Sequence, residues 1–379
     1  MGRLTNRVVG RAGVVAGAAA LTCAAIFALA TASAQAADPG TWKLKRTSTI
    51  SFRYWQGITS VPGSAKPPLL FTGPNQGTYR TSNALGEQAA RDIGIPEELT
   101  ASEGYNHSGD PSWDPGEGGR LITALECYVA GKGNTCGTGA FGVTDPKSLA
   151  WRYWVKLDPS EIKKAMWVES SPDGKLLWPS SGSDLLAYRA SDVKPANASP
   201  GAGPIRSVRK LAGAVPPSGV TGAVFWRGKL LLAGQQGTSF QVWSVDTSNG
   251  KRTLELERTI SGESEGLDIV PALGGLLQWQ VMPATDTPPA TYLEPTIMSF
   301  MPAEAPQLKM TARKTGGKLK VTVTAGPRQP IPDVQVSAGS KKAWTGRDGV
   351  ASLPGSAAKS GTKLKASLAG TKPGSLKLR

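Results

Sequence analysis

Histidine is all but missing from this sequence: His107 is the only one in 379 residues. A Ser-His-Asp hydrolase would have to use that single ring, and no Gly-x-Ser-x-Gly nucleophile elbow is read in the chain. Cysteine is nearly as scarce. Cys23 lies in an N-terminal apolar run behind Ala-Leu-Thr, a poor lipoprotein box, which leaves Cys127 and Cys136. Acids are absent from the first 37 residues and almost absent from the last 75, where only Asp333 and Asp348 occur. No motif specifies a reaction.

The acid-free start has its own logic. Arg3, Arg7 and Arg11 precede an apolar run from Ala12 to Ala30, and the small residues Thr-Ala-Ser-Ala-Gln-Ala-Ala follow. A positive start, an apolar middle and an Ala-x-Ala exit make a secretory signal. Residues 1–36 are therefore expected to be a signal peptide, cleaved after Ala34 or Ala36. The alternative is an uncleaved anchor, since nineteen apolar residues can span a bilayer. Arg11 has no neighbouring arginine, so a twin-arginine route is not indicated. An exported chain meets oxidising conditions, so Cys127 and Cys136 are expected to form a disulfide around the turn Gly131-Lys132-Gly133-Asn134.

What the chain has in plenty is glycine (46), proline (29) and tryptophan (11), a composition that suits many short strands and tight turns. A repeat organises them. A turn followed by two aliphatic residues recurs at Leu69-Leu70, Leu121-Ile122, Leu176-Leu177, Leu230-Leu231 and Leu276-Leu277, at intervals of 52, 55, 54 and 46 residues. A short apolar stretch precedes each pair, and further strand-like stretches follow most of them. Four short antiparallel strands repeated around a ring is the pattern of a β-propeller, here over residues 38–302 with five blades favoured. Leu44-Lys45-Arg46-Thr47 resembles Leu256-Glu257-Arg258-Thr259, a proposed outer strand. The N-terminal segment is thus expected to supply the last blade's missing outer strand and close the ring. Residues Asn83 to Glu103 fit no blade and are expected to be a helical or loop insertion.

Beyond the proline-rich seam from Pro302 to Pro306 the pattern becomes strict polar–apolar alternation, the mark of half-buried strands, and residues 307–379 are expected to form a small antiparallel sandwich. Charge divides at the same seam. From Asp38 to Glu304 there are 25 Lys+Arg against 26 Asp+Glu, whereas from Ala305 to Arg379 there are 15 against 2. The basic balance belongs to the C-terminal module.

Two resemblances rest on particular residues. The run from Pro330 to Pro354, with Thr345, Asp348 and Gly349 at its turn, is similar to bacterial Ig-like and carboxypeptidase-regulatory-like modules, which implies a spacer or stalk rather than chemistry. Glu265-Gly266-Leu267-Asp268 at a blade start and Ser171-Pro172-Asp173-Gly174-Lys175-Leu176 at a blade turn resemble exported propellers of the NHL, YVTN and esterase-like group. Such motifs recur across propellers of unrelated function, so the resemblance implies a fold and no activity.

By the repeat alignment, the starts of the innermost strands bring Gln56, His107 with Asp110, Glu169, Thr221 and Glu265 with Asp268 towards one mouth. Three readings follow. In the first, a secreted or envelope-associated binding or scaffold protein presents a small molecule or protein at the mouth. Its basic module then associates with an anionic cell-wall polymer or membrane surface, with nucleic acid not expected because stacking aromatics are missing there. In the second, Gln56, Asp110, Glu265 and Asp268 hold Ca²⁺ for a hydrolase acting on a phosphoester, lactone or ester, with His107, Asp110, Glu169 and Glu265 as catalytic candidates. In the third, two of Asp110, Glu169 and Glu265 serve as a glycosidase acid pair.

Overall fold

The computed structural model describes residues 39–73, 78–81, 88–92, 94–286, 291–326 and 329–378, the stretch 88–92 as backbone only. The proposed leader, 1–36, lies outside the described residues.

Five antiparallel sheets, each four strands deep from axis to rim, make up residues 42–302. Blade 1 runs outward through Gly57–Ser60, Leu69–Thr72, Thr78–Thr81 and Gln88–Asp92. Blade 2 has a broken inner strand, His107–Ser108 and Ser112–Asp114, then Arg120–Glu126, Ala140–Thr144 and Trp151–Lys156. Blade 3 comprises Glu169–Ser170, Leu176–Trp178, Asp184–Arg189 and Arg209–Leu211. Blade 4 comprises Gly219–Trp226, Lys229–Gln236, Ser239–Val245 and Arg252–Thr259. Blade 5 has Gly262–Ile269, Leu277–Pro283 and Thr296–Pro302, and its outer strand is Trp42–Thr49.

The inner strands touch in the cyclic order 5–1–2–3–4–5, so the ring is closed. Closure uses the N-terminal strand as the sequence implies: Trp42 pairs with Pro302 and Thr49 with Thr296, covering an edge that would otherwise expose unpaired backbone. Tight hairpins set the strand register. Between Trp226 and Lys229 the turn is Arg227-Gly228, both at positive φ (50° and 76°), the geometry of a two-residue turn that follows strand twist. Aromatic residues fill the wedges between blades, with Trp167, Trp279 and Phe240 fully buried.

One sequence expectation needs correction. Residues 83–103 are not an insertion as a whole, because Gln88–Asp92 is blade 1's outer strand and only Glu97–Glu103 is helical. Its strand character is hidden because Gln-Ala-Ala-Arg-Asp has helix-forming composition and lies on an edge where pairing, not propensity, decides.

The C-terminal module has seven strands in two sheets. Lys309–Thr315, Lys318–Thr324 and Val350–Pro354 form one; Lys341–Trp344, Gln335–Ala338, Lys363–Ser367 and Gly374–Lys377 form the other. Leu319, Val321 and Val323 from the first sheet and Val336, Leu364 and Ala366 from the second share one core, which makes the module a sandwich. That core is continuous with blades 4 and 5 through Trp226, Trp279 and Phe300. The sandwich is therefore seated on the propeller.

Candidate functional site

The propeller axis is filled at mid-depth by one carboxylate. Blade 2's inner strand breaks at Gly109-Asp110-Pro111, which turns Asp110 inward. Its Oδ1 accepts the N–H of Ile58 (2.9 Å), and its Oδ2 accepts those of Ala223 (3.1 Å) and Leu267 (3.3 Å), from blades 1, 4 and 5. Its own N–H donates to the Met166 carbonyl and its carbonyl accepts from Val168, which ties in blade 3. Burial pushes its pKa well above the usual carboxylate range, against the pull of the three N–H donors. The backbones crowd here. A Cβ on Gly266 would lie 2.5 Å from Asp110 Oδ1 and 2.6 Å from Ile58 N, so glycine is required for blade 5 to approach.

At the mouth facing the sandwich, inner-strand ends bring together Glu169 and Asp268. Glu169 accepts from Ser112 Oγ (2.6 Å) and from the Phe225 N–H (3.2 Å). Asp268 accepts from Ser60 Oγ (3.0 Å) and from its neighbour Ile269 (2.7 Å). Into this acidic mouth the sandwich inserts Arg347. Nη1 lies 3.2 Å from Glu169 Oε1 and donates to Ser112 Oγ (3.0 Å) and the Ser170 carbonyl (2.8 Å), while Nη2 reaches Glu169 Oε2 at 3.4 Å. Beside it the buried Asp333 accepts the Gly63 N–H (2.8 Å). Burial raises all three acids despite the guanidinium: Glu169 upward, Asp268 to about 8 and Asp333 to about 7. The residual cavity between the two modules is only about 20 Å³.

The far mouth is different in kind. Gln56 is buried at the start of blade 1's inner strand. His107 Nε2 lies 3.7 Å from Glu126 Oε1, its cross-strand partner, and its ring is 5.7 Å from that of Tyr128. Burial, then Lys164, lower the His107 pKa below the ordinary imidazole value, which favours the neutral ring. Glu265 is 7% exposed, and its carbonyl accepts from Thr221 Oγ1 (3.1 Å) while its carboxylate accepts no hydrogen bond among the described residues. Burial, followed by Glu263, Asp110 and Glu126, raises it well above the ordinary range. The Tyr292 hydroxyl donates to Glu263 Oε1, and its ring stands edge-on to Trp55 at 6.0 Å. Phe52, Tyr128, Val129, Tyr292 and Leu293 are each 39–49% exposed around this mouth. A groove of about 830 Å³ between blades 3 and 4, lined by Lys163, Lys164, Met166, Ser180, Ser218 and Arg252, adjoins it.

The sequence-derived candidates thus do not converge on one mouth. Glu169 and Asp268 face the sandwich, Asp110 is internal, and His107, Gln56 and Glu265 belong to the far side. The divergence arises because the inner strands differ in length: Glu169 begins a two-residue strand near its exit, whereas Glu265 sits midway along an eight-residue strand with a bulge between Ser264 and Leu267. As a Ca²⁺ ligand set, Gln56, Asp110, Glu265 and Asp268 fit poorly, because the Asp110 oxygens already serve three N–H donors and Asp268 and Glu265 face opposite ends. Among the described residues no three of His, Cys, Asp or Glu group as metal ligands.

The disulfide does form: Cys127 and Cys136, with Cα atoms 5.1 Å apart, close the hairpin of Tyr128–Val129 and Gly133–Asn134. Sequence reading misses Arg347, whose only signal is its place in the Thr345-to-Gly349 turn. It also passes over Gly262-Glu263-Ser264-Glu265-Gly266, a literal Gly-x-Ser-x-Gly. That segment is a continuous strand, not an elbow, and Ser264 Oγ is engaged by Trp279 Nε1 (3.1 Å) and Thr221 Oγ1 (3.0 Å). Arg120 is a further buried cation, held by Asp114 (2.7 Å), the Tyr153 hydroxyl (3.1 Å) and the Ala190 carbonyl (2.8 Å), and it braces blade 2 against blade 3.

No protein-family model matches the chain, and no curated protein matches it by sequence. Among solved structures, glutaminyl cyclase from Myxococcus xanthus is similar over 68% of this chain and 95% of its own, at 11% identity and a TM-score of 0.42. A luciferin-regenerating enzyme is similar over 65% and 77%, at 12% identity and a TM-score of 0.40. A nidogen/laminin complex is similar over 67% and 84%, at 9% identity and a TM-score of 0.37.

Proposed function

We propose that this chain is an exported binding protein. The propeller receives a ligand at its far mouth, and the sandwich, an Ig-like spacer, holds the molecule against an anionic envelope polymer. The observation that carries the reading is the distribution of cations on the sandwich. Lys363 stands directly opposite Lys377, and Arg313 directly opposite Lys320, on its two sheets. Like charges paired across a strand cost stability, and an anion lying over both relieves them. The module's only acids are Asp333, which is buried, and Asp348. The disulfide suits an oxidising compartment, and no helix among the described residues is long and apolar enough to cross a membrane.

The far mouth supports the ligand half of the reading. Clustered aromatic and aliphatic side chains exposed around a buried carboxyl group, here Glu265, are what binding mouths present, whereas singly scattered apolar residues need no explanation. The hydrolase and glycosidase alternatives have less support, because Asp110 and Glu169 are each committed to structural partners.

The test is sedimentation of the purified protein with an anionic cell-wall polymer. Binding is expected to fall steeply as salt rises from about 0.1 to 0.5 M, because screening shortens with salt. Replacing Lys342, Lys363, Lys365 and Lys377 by Gln is expected to weaken it at least tenfold. Binding unchanged by both treatments would refute the electrostatic role.

A further inference from the structure

The Arg347 contact has the attributes of a receptor with its ligand in place. Every group that holds the guanidinium is positioned by the propeller alone. Glu169 is fixed by Ser112 of blade 2 and Phe225 of blade 4, and the Ser170 carbonyl belongs to blade 3. The carboxylate meets both Nη atoms, the two-point geometry that a planar guanidinium satisfies and an ammonium does not. Without a cation the mouth would bury Glu169 and Asp268, 2% and 5% exposed, with no counter-charge. With the sandwich seated, the closed mouth therefore calls for a cation at this position.

A route to it also exists. A groove of about 350 Å³ runs alongside, lined by Pro172, Leu176, Trp178, Phe225 and Pro330, three of which also wall the Arg347 cavity. Trp178 is 2% exposed, yet its indole N–H finds no acceptor among the described residues. The groove also carries Asp173, Arg209 and Asp348, and a mixed apolar and charged wall suits a peptide lying beside a buried side chain.

We propose that the sandwich-facing mouth of the propeller is a binding site for an arginine side chain of a peptide, which this chain fills from within using Arg347. The sandwich is then an internal occupant, and an arginine-bearing partner competes with it for Glu169, Ser112 and the Ser170 carbonyl. This site is separate from the far mouth and from the cationic faces of the sandwich, and its test leaves those untouched.

The experiment uses the full chain, wild type and Arg347→Ala, with N-acetyl-arginine amide as the probe and N-acetyl-lysine amide at equal ionic strength as the control. Arg347→Ala is expected to melt several degrees below wild type. The arginine probe should restore part of that loss saturably, and it should bind the variant at least tenfold more tightly than it binds wild type. The lysine probe should do neither, and adding Glu169→Gln should abolish the response. Should Arg347→Ala not fold, Arg347→Lys keeps a cation in place, and the arginine probe is again expected to bind it at least tenfold more tightly than wild type. Equal responses to the two probes, or no saturable arginine binding to a folded variant, would overturn the assignment.

Discussion

Asp110 Oδ2 accepts the backbone N–H of Ala223 at 3.1 Å across 113 residues of sequence, and the same oxygen also receives Leu267. One side chain thereby satisfies donors from three other blades. Asp110→Ala would strand those buried N–H groups, each costing about 1–3 kcal/mol when unsatisfied. The variant is expected to lose at least about 3 kcal/mol in urea unfolding. Asp110→Asn keeps the volume but turns one acceptor into a donor facing N–H groups, and it should fall between wild type and Ala. A loss below about 1 kcal/mol for Ala would show that the hub is not structural.

Gly266 tests the same junction from the opposite side. Its substitution by Ala would drive Cβ into Asp110 Oδ1 and Ile58 N, and neither can retreat without breaking their mutual bond. Overpacking of a dense interior costs about 1–3 kcal/mol, and here the lost hydrogen bonds add to it. We expect Gly266→Ala to destabilise as much as Asp110→Ala, and the double variant to be less than additive because both act on one contact. Additive losses would separate the two.

How legible this was in the sequence depends on which residues are asked. The five blades were readable because Leu69, Leu121, Leu176, Leu230 and Leu276 report a periodic demand, burial of a second strand once per wedge. The closing strand was readable because Leu44 to Thr47 repeats an outer-strand pattern. The site was not, for two reasons. Glu169 and Glu265 occupy equivalent places in the repeat but different depths along the axis, and strand length and bulges are not written in the pattern. Arg347 comes from another module, and its contact with Glu169 spans 178 residues with no local signal.

The acids at the sandwich-facing mouth make stability depend on pH in a stated direction. Folding raises Asp268 to about 8 and Asp333 to about 7 by burial, from about 3.9 in an unfolded chain. Groups raised in the folded state contribute stability that is complete below the unfolded value and lost as pH rises through the folded one. The melting temperature is therefore expected to fall by roughly 5 °C between pH 5 and 8.5. Asp268→Asn should flatten that slope, and an unchanged slope would remove Asp268 as its source. Asp145 and Asp184, lowered chiefly by hydrogen bonds to Ser148 and Lys210, act oppositely and only at the acid end.

Thr345 gives the sharpest test of how the sandwich presents its turn. Its hydroxyl donates to the Ile331 carbonyl (2.7 Å) and accepts the Val334 N–H (2.9 Å), with the side chain fully buried. Two residues later the chain delivers Arg347, and Gly349 completes the turn at φ 70°. Thr345→Val preserves shape and strands both backbone partners, a loss of about 2–4 kcal/mol if neither finds water. Because the turn is what aims Arg347, the variant should also loosen the plug. Amide exchange at Phe225, whose N–H is bonded to Glu169, is expected to accelerate in Thr345→Val by more than the global loss of stability accounts for. Exchange that merely tracks global unfolding would mean that Glu169, Ser112 and the Ser170 carbonyl hold Arg347 without help from the turn.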